Sequence, residues 1–182
     1  MKKLIVFLMT ACVIGLVQAA SVSWTATNVY AGNSTKANGV VGYLFLTDQV
    51  TVAQAQAALT AGGSDLTALL AKGLTPETST SAGKFTSSST PSSVADSYGG
   101  TTASAFAVIF NTSDPATATS YYMTPTISTT INSVGNTAFA FGSQATASQT
   151  PWTAVGGGAP EPTSALLILM GGAMLALRRR RA

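Results

Sequence analysis

The apolar and polar positions near the start of the chain alternate with a period of two. In "SVSWTATNVYAG", Val22, Trp24 and Ala26 alternate with serine and threonine, which predicts a strand with one buried face. The following "VVGYLFLT" is almost entirely apolar and predicts a more deeply buried strand. Because the turn-forming residues of "NSTKANG" separate these two runs, we expect the runs to pair as a hairpin.

After residue 48 the period changes to that of an α-helix. The predicted helix lies in "DQVTVAQAQAALTAGG", where Gly62 and Gly63 provide the stop signal. Asp48 or Thr51 is expected to cap its start, since a short side-chain oxygen accepts a hydrogen bond from a free backbone N–H there. The apolar residues on one face of this helix are Val52, Ala55, Ala58 and Leu59.

A second, shorter helix is predicted in "SDLTALLAKG". Ser64 is its expected cap, Lys72 lies in the expected last turn, and Gly73 follows as the stop signal. The apolar positions are Leu66, Leu69 and Leu70. Helices this short are marginally stable alone, so we expect the two to pack together as an insertion on a β-structure.

Residues 78–93, "TSTSAGKFTSSSTPSS", contain eleven serines and threonines among sixteen residues. So little apolar surface does not offset the entropy lost on ordering, which favours a flexible loop. An edge strand around Phe85 and a glycan-bearing tract are the alternatives.

Strand patterns return after residue 101. The run "ASAFAVIFN" predicts a buried strand, with Phe106, Val108 and Phe110 on one face and Ala105, Ala107 and Ile109 on the other. A turn is predicted in "NTSDPAT", where Asn111 and Asp114 bond the backbone ahead of Pro115. Further short strands are expected in "TSYYMT", "PTISTTIN", "TAFAFGSQ" and "PWTAV". Their spacing of about 10 residues is typical of antiparallel sandwiches and barrels. The predicted fold is therefore mainly β, an antiparallel sandwich or barrel with a small two-helix insertion.

The first 19 residues have the pattern of a secretory signal peptide. Two lysines precede an apolar run from Leu4 to Val17, and "VQA" offers small residues at the cleavage positions. We expect cleavage after Ala19, with cleavage after Ala20 as the alternative. The single cysteine, Cys12, lies within this signal, so the mature chain is expected to hold no disulfide or thiolate metal site.

The chain closes on "APEPTSALLILMGGAMLALRRRRA". Pro160 and Pro162 keep the backbone extended around Glu161 and out of a helix. The apolar run 165–177 would form a helix of roughly 20 Å, shorter than the ~30 Å hydrocarbon core of a bilayer. The basic cluster that follows is expected to stay on the cytoplasmic side and consists of Arg178, Arg179, Arg180 and Arg181. We therefore expect a single short transmembrane helix in the precursor that anchors it only transiently.

This order of motif, short apolar helix and terminal arginines closely resembles the PEP-CTERM sorting signal of exported bacterial proteins. The matching residues are Pro160, Glu161 and Pro162, the run 165–177, and the arginines 178–181. The resemblance covers only about the last two dozen residues. It implies that an exosortase, a membrane-embedded transpeptidase-like protease, recognises and removes the tail. It also implies delivery to the envelope surface or the extracellular matrix, and such proteins are often rich in serine and threonine and glycosylated.

The charge is concentrated at the ends of the chain. The net charge is +3, but Lys2, Lys3 and the four terminal arginines supply six of the nine positive charges. Between the ends the chain has three lysines and five carboxylates, which gives a net charge of −2. Nucleic-acid binding needs basic residues clustered on a folded surface, so no nucleic-acid partner is expected.

The residues between the terminal signals lack the usual catalytic groups. The chain contains no histidine, which excludes Ser-His-Asp and Cys-His catalysis and histidine-dependent zinc sites. The remaining carboxylates, Asp48, Asp65, Glu77, Asp96 and Asp114, stand apart in the sequence, mostly beside turn or cap signals. A calcium site at "NTSD" is less favoured than a plain turn. We therefore expect no enzyme activity, no metal and no cofactor.

Six aromatic residues could form a sugar-binding platform: Trp24, Trp152, Tyr30, Tyr98, Tyr121 and Tyr122. The alternation of Trp24 with Val22 favours a place in the core instead. An extracellular polysaccharide is the partner that such a platform would bind, beside the exosortase and the membrane. A carbohydrate- or matrix-binding module is thus one alternative function, and a permanently anchored single-pass protein is another.

These patterns divide the chain into a signal peptide (1–19), an exported β-rich domain (20–155), a glycine-rich linker (156–159) and a sorting signal (160–182). The function expected is that of an exported structural or surface protein, handled by exosortase. The molecular role of the β-rich domain is left open by its sequence.

Overall fold

The computed structural model describes residues 20–156, apart from Asn33 and residues 88–89, 92–96 and 146–148. The predicted signal peptide and the predicted sorting signal lie outside these residues. In the described part the helices are α1 (Val52–Ala61) and α2 (Gly63–Leu70), with a 3-10 turn at Pro115–Thr117. The strands are β1 (Ala20–Thr27), β2 (Tyr30–Gly32), β3 (Thr35–Lys36), β4 (Val41–Leu46), β5 (Leu74–Thr78), β6 (Phe85–Thr86), β7 (Thr90–Pro91), β8 (Thr102–Phe110), β9 (Ser120–Met123), β10 (Ile127–Thr130), β11 (Gly135–Ser143) and β12 (Thr153–Ala154).

These elements form three layers, with a sheet in the middle. The front sheet has the order β11-β1-β6, and β7 also pairs with β1. The central sheet has the order β12-β9-β8-β4-β5, and β10 pairs with β8. One core lies between the two sheets, and a second core lies between the central sheet and the helices. The fold is therefore mainly β, consistent with a sandwich, and carries two helices on one outer face.

Strand β8 serves both cores, as its alternating pattern predicts. Ala105, Ala107 and Ile109 face the front sheet, whereas Phe106, Val108 and Phe110 face the helices, and all six are buried. On the helix side Phe106 stacks on Phe45 with ring centroids 5.6 Å apart. A strand buried on both faces has no room for polar side chains, which explains its apolar sequence.

The helices form where their period predicts, and one of their predicted caps is correct. Thr51 caps α1 in a capping box: its side chain accepts from the backbone N–H of Gln54, and the Gln54 side chain accepts from the backbone N–H of Thr51. The predicted cap Ser64 is wrong, because α2 begins at Gly63 and has Gly62 at its N-cap position without a side-chain hydrogen bond. The buried side chains of the two helices are Ala55, Leu59, Leu66 and Leu69.

The predicted hairpin between the first two strand runs is wrong. β1 and β4 belong to opposite sheets, and β1 pairs instead with β11, β6 and β7. Its partner β11 runs parallel to it, with Trp24 opposite Phe139, so the sheets are not wholly antiparallel. The turn residues between β1 and β4 instead form the small hairpin β2–β3. Both runs have apolar side chains that must be buried. Packing the two strands against each other across the sandwich buries these side chains as well as pairing them in one sheet would.

The flexible loop expected at 78–93 is wrong around Phe85, where the alternative of a short strand is correct. Phe85 is fully buried in β6 and stacks on Trp24 with ring centroids 5.1 Å apart. Ser87 extends this contact, since its backbone N–H donates to Trp24 O at 3.0 Å and its Oγ accepts from Trp24 N at 2.7 Å. One aromatic side chain with a buried partner thus orders a segment of polar composition.

Neither helix in the described residues 20–156 has the length and unbroken hydrophobicity needed to cross a bilayer. The predicted transmembrane helix at 165–177 lies outside the described residues.

Trp24 fills the sandwich core opposite Gly42 in β4. A Cβ at Gly42 would lie 2.7 Å from Cη2 of Trp24 and 3.2 Å from Cγ1 of Ile109, which is too close for an unshifted ring. We therefore expect Gly42→Ala to lower the free energy of unfolding by about 1–3 kcal/mol through overpacking. Chemical denaturation measures this loss. The control is Gly32→Ala, which adds the same methyl group where no atom lies within 4 Å. Equal losses in the two variants would contradict the overpacking argument.

Candidate functional site

The structure describes four of the five carboxylates between the predicted terminal signals, and each lies on a different element or turn. Asp48 and Asp65 are exposed at a turn and in the first turn of α2, and Glu77 lies half-buried in β5. Asp96 lies outside the described residues. Within the described residues no three or more of the acidic, histidine and cysteine side chains lie close enough together to hold a metal ion.

The "NTSD" segment forms the plain turn that its sequence favours. The Asp114 carboxylate accepts from the backbone N–H of Ala116 at 3.0 Å and so caps the 3-10 turn. The Asn111 side-chain oxygen accepts from the backbone N–H groups of Thr119 and Ser120, both at 3.1 Å. These side-chain oxygens therefore serve the local backbone.

The six aromatic residues do not form one platform. Trp24 is fully buried, and its Nε1 donates to Thr75 O at 2.9 Å. Tyr121 is also buried, in the core beneath the helices. Tyr98 and Tyr122 are partly buried against the sandwich core. The core position of Trp24 that its alternation favours is confirmed.

Tyr30 and Trp152 are brought together at the base of the β2–β3 hairpin. Nε1 of Trp152 donates to the backbone oxygen of Tyr30 at 2.7 Å. Nζ of Lys36 lies 4.1 Å from the centroid of the Tyr30 ring and also donates to Oδ1 of Asn28. Nδ2 of Asn28 donates to Oγ of Ser143 at 3.0 Å. We call these five residues, Asn28, Tyr30, Lys36, Ser143 and Trp152, the Tyr30 cluster.

The Tyr30 cluster combines one cation with an amide, a hydroxyl and two half-exposed aromatic rings. Asn28 holds a left-handed backbone with φ of 56°, a conformation that asparagine tolerates better than most residues. Lys36 covers one face of the Tyr30 ring, so that face is not free for stacking on a sugar. The cluster therefore presents polar groups beside aromatic edges, a combination suited to a hydroxylated or acidic ligand.

An open groove of about 500 Å³ lies between α1 and α2. Four of its lining residues are alanines from the two helices, and one carboxylate, Asp65, and one ammonium group, Lys72, also line it. General acid–base hydrolysis of the glycosidase type needs two carboxylates facing one cleft. The groove thus has apolar contact surface but no such pair.

The residues of the predicted sorting signal, Pro160, Glu161, Pro162 and Arg178–Arg181, lie outside the described residues, as does Ala19. Ala20 is the first residue of β1 and is fully buried. Gly156, expected to begin the linker, is held by the fold, because its backbone N–H donates to Leu59 O at 3.1 Å. The Tyr30 cluster was not predicted as a unit. The proline, glycine and asparagine signals around it mark turns but do not show which turns meet.

No family model, curated protein or solved structure matches this chain. Assignment of a function therefore depends on the residues themselves.

Tyr122 gives the described domain a pH dependence at the alkaline end. Burial raises the pKa of Tyr122 above its ordinary value of 10.0, and its OH donates to Oε1 of Gln144 at 3.0 Å. A raised pKa means that the folded state holds this proton more tightly than the unfolded chain does. Its contribution to stability is complete below pH 10 and is lost as the pH rises through the folded pKa.

We expect the free energy of unfolding to fall above pH 10, and to fall less steeply in Tyr122→Phe. Denaturation at pH 8 and pH 11 measures this, with the half-buried Tyr43→Phe as the control, and equal slopes in all three proteins would contradict it.

Proposed function

We propose that this protein is an exported, non-enzymatic component of the cell envelope or extracellular matrix, whose C-terminal tail is recognised and removed by an exosortase-type enzyme. The observation that carries the proposal is the order of Pro160-Glu161-Pro162, the short apolar run 165–177 and four arginines at the end of the chain. The run is too short for a durable span, and the arginines hold the body on the outer side of the membrane.

The limits of the folded domain support this proposal. Ala20 lies in the sandwich core opposite Gly135, so signal cleavage after Ala19 would leave the whole first strand in the mature protein. Cleavage after Ala20 would instead remove a buried residue. For this reason we favour Ala19 as the last residue of the signal.

The position of Gly156 also supports the proposal. This residue is bonded to α1, and Pro160 follows four residues later, within about 14 Å of extended chain. Ala165 follows nine residues later, within about 32 Å. The motif thus follows the last described residue and precedes the apolar run, so cleavage at the motif would leave every described strand in the processed protein. Removal of the tail also removes four positive charges.

Replacement of Pro160, Glu161 and Pro162 by alanine in the full chain is expected to prevent removal of the tail. Because the enzyme needs the extended motif, the variant should keep residues 163–182 and gain their mass relative to the processed protein. Intact mass spectrometry of the protein from its native host measures both ends at once. The control is Pro151→Ala, an exposed proline in the folded domain, which should be processed normally. A tail retained in the unaltered protein would instead favour the permanently anchored single-pass alternative, and a tail lost from the alanine variant would refute the motif.

We infer a second candidate function, binding of an acidic polysaccharide, from the Tyr30 cluster alone. Lys36 supplies the positive charge, Asn28 and Ser143 supply hydrogen-bonding groups, and Trp152 supplies a half-exposed ring. Of the other four residues of the predicted platform, Trp24 and Tyr121 are buried and Tyr98 and Tyr122 are partly buried, so a neutral sugar has little ring surface on which to stack. Charge-assisted hydrogen bonds to a carboxylate are the stronger contact available.

This second candidate predicts that Lys36→Met weakens binding to polygalacturonate about tenfold, the loss of one charge-assisted contact. Lys84→Met is the matched control, since Lys84 is an exposed lysine on the segment preceding β6. Affinity electrophoresis in polygalacturonate, with neutral dextran as the reference polymer, measures the difference. Equal retardation of both variants, or no retardation of the unaltered protein, would remove this candidate and leave the sorting proposal untouched.

A further inference from the structure

Strand β11 lies at the edge of the front sheet and is protected on one side only. It is nine residues long, and within the described residues its strand partner is β1. The two strands run parallel from the pair Ala20 and Gly135 to the pair Thr27 and Ser143. An edge of this length presents a row of backbone donors and acceptors to any strand that can reach it.

Side-chain caps identify which backbone groups of β11 point outward. Nδ2 of Asn132 donates to the carbonyl oxygen of Asn136 at 3.0 Å, so this carbonyl points away from β1. Alternate residues of a strand direct their N–H and C=O groups to the same edge. Ala138 and Ala140 therefore also face outward, and no hydrogen bond from another described residue reaches their outward groups. At the far end Nε2 of Gln144 donates to the oxygens of Phe141 and Gly142 at 2.7 and 3.2 Å.

The open part of this edge lacks the usual protection against pairing. Edge strands in natural proteins often carry lysine or proline, which hinders the approach of another strand. β11 contains neither, and no charged residue occurs anywhere from 115 to 156. The side chains of Ala138 and Ala140 are exposed and small, so they do not obstruct the approach of another strand to this edge.

We propose that β11 is a self-association edge, on which a second copy of this chain adds its own β11 in the antiparallel direction. A two-fold axis at Phe139 sets Ala138 opposite Ala140 of the second copy, and Ala140 opposite Ala138. Each of these two pairs exchanges two N–H···O=C bonds, which uses the open backbone groups and leaves the capped ones undisturbed.

The second copy is the occupant that fits this edge best, because the edge is complementary to itself. Two identical uncharged surfaces meet without the repulsion that like charges on opposite strands would cause. Val134, the exposed large hydrophobic residue of the described chain at 56% exposure, precedes β11 and would lie beside the end of the second copy's strand. A contact this short buries less than a standard interface, so the dimer is reversible and forms at high protein concentration. This inference does not depend on the sorting proposal.

The test uses the full chain purified from its host, with both ends defined by intact mass. Sedimentation velocity from about 10 μM to about 1 mM should show a monomer–dimer equilibrium, a range suited to a small interface. Ala138→Lys with Ala140→Lys places like charges opposite each other and should raise the dissociation constant about tenfold. Ala154→Lys is the matched control, because it adds a lysine at an exposed alanine of the edge strand β12.

Charge reversal separates strand pairing from a general effect of charge. A protein with Ala138→Glu and Ala140→Glu should also dissociate, whereas a mixture of the lysine and glutamate proteins should form dimers again. Hydrogen exchange of the unaltered protein should show the amides of Ala138 and Ala140 becoming more protected as its concentration rises.

Three results would overturn the proposal. The first is a monomer at every concentration, and the second is equal weakening by Ala154→Lys. The third is protection of both amides that is independent of concentration, which would show that this chain's own residues cover the edge.

Discussion

The contact between Trp24 and the residues around it is the constraint on which the rest of the fold depends. The ring is buried between the two sheets, stacked on Phe85 and packed edge to face against Phe141 at 6.3 Å. A buried indole N–H needs an acceptor, and Thr75 provides its carbonyl oxygen at 2.9 Å. Thr75 has a φ of 41°, unusual for a β-branched residue, and its own buried hydroxyl has no partner among the described residues. The residue of β5 that accepts from the tryptophan thus combines a strained backbone with an unsatisfied hydroxyl.

Local patterns predict which face of an element is buried, and several of those predictions are confirmed. In β1 the prediction of a single buried face is wrong, because Ser21 and Ser23 are buried as well as Val22 and Trp24. The alternation in β8, the apolar face of α1 and the strand runs from 120 to 154 all lie where the sequence predicts them. What alternation does not contain is the identity of the neighbouring strand. β1 pairs with β11, more than a hundred residues away, and Nδ2 of Asn136 donates to Oγ of Ser23 at 2.8 Å across this pair. No signal within a window of 10 or 20 residues encodes that partner.

The same limit applies to the candidate site. The sequence does not show which of the six residues of the predicted aromatic platform are buried, because a tryptophan in a strand has the same local pattern whether it contacts a core or a ligand. Long-range contacts in the structure distinguish the buried aromatic residues from the others. Phe85 stacks on the buried Trp24, whereas Trp152 donates to the backbone of Tyr30 from the other end of the domain. Lys36 then distinguishes the Tyr30 cluster from a plain stacking platform. A resemblance confined to the last two dozen residues, in turn, bears on where the chain goes and leaves the domain unassigned.

The net charge of the chain depends on whether its two ends are removed, and this charge bears on polysaccharide binding and on self-association by the domain. Without residues 1–19 and 160–182 the chain keeps three lysines and five carboxylates, so processing at both predicted signals would change the net charge from +3 to −2. Such a domain is weakly repelled by an acidic polymer at long range, and salt at physiological strength screens that repulsion within about 8 Å. Any attraction must therefore be local, between a carboxylate and Lys36, and moderate salt should weaken it far less than it weakens binding driven by overall charge. Residues 115–156 carry no charge, so two copies of this stretch do not repel each other electrostatically when they approach. A charge-poor domain is thus suited to close packing with a second copy of itself, which agrees with the self-association proposed for β11.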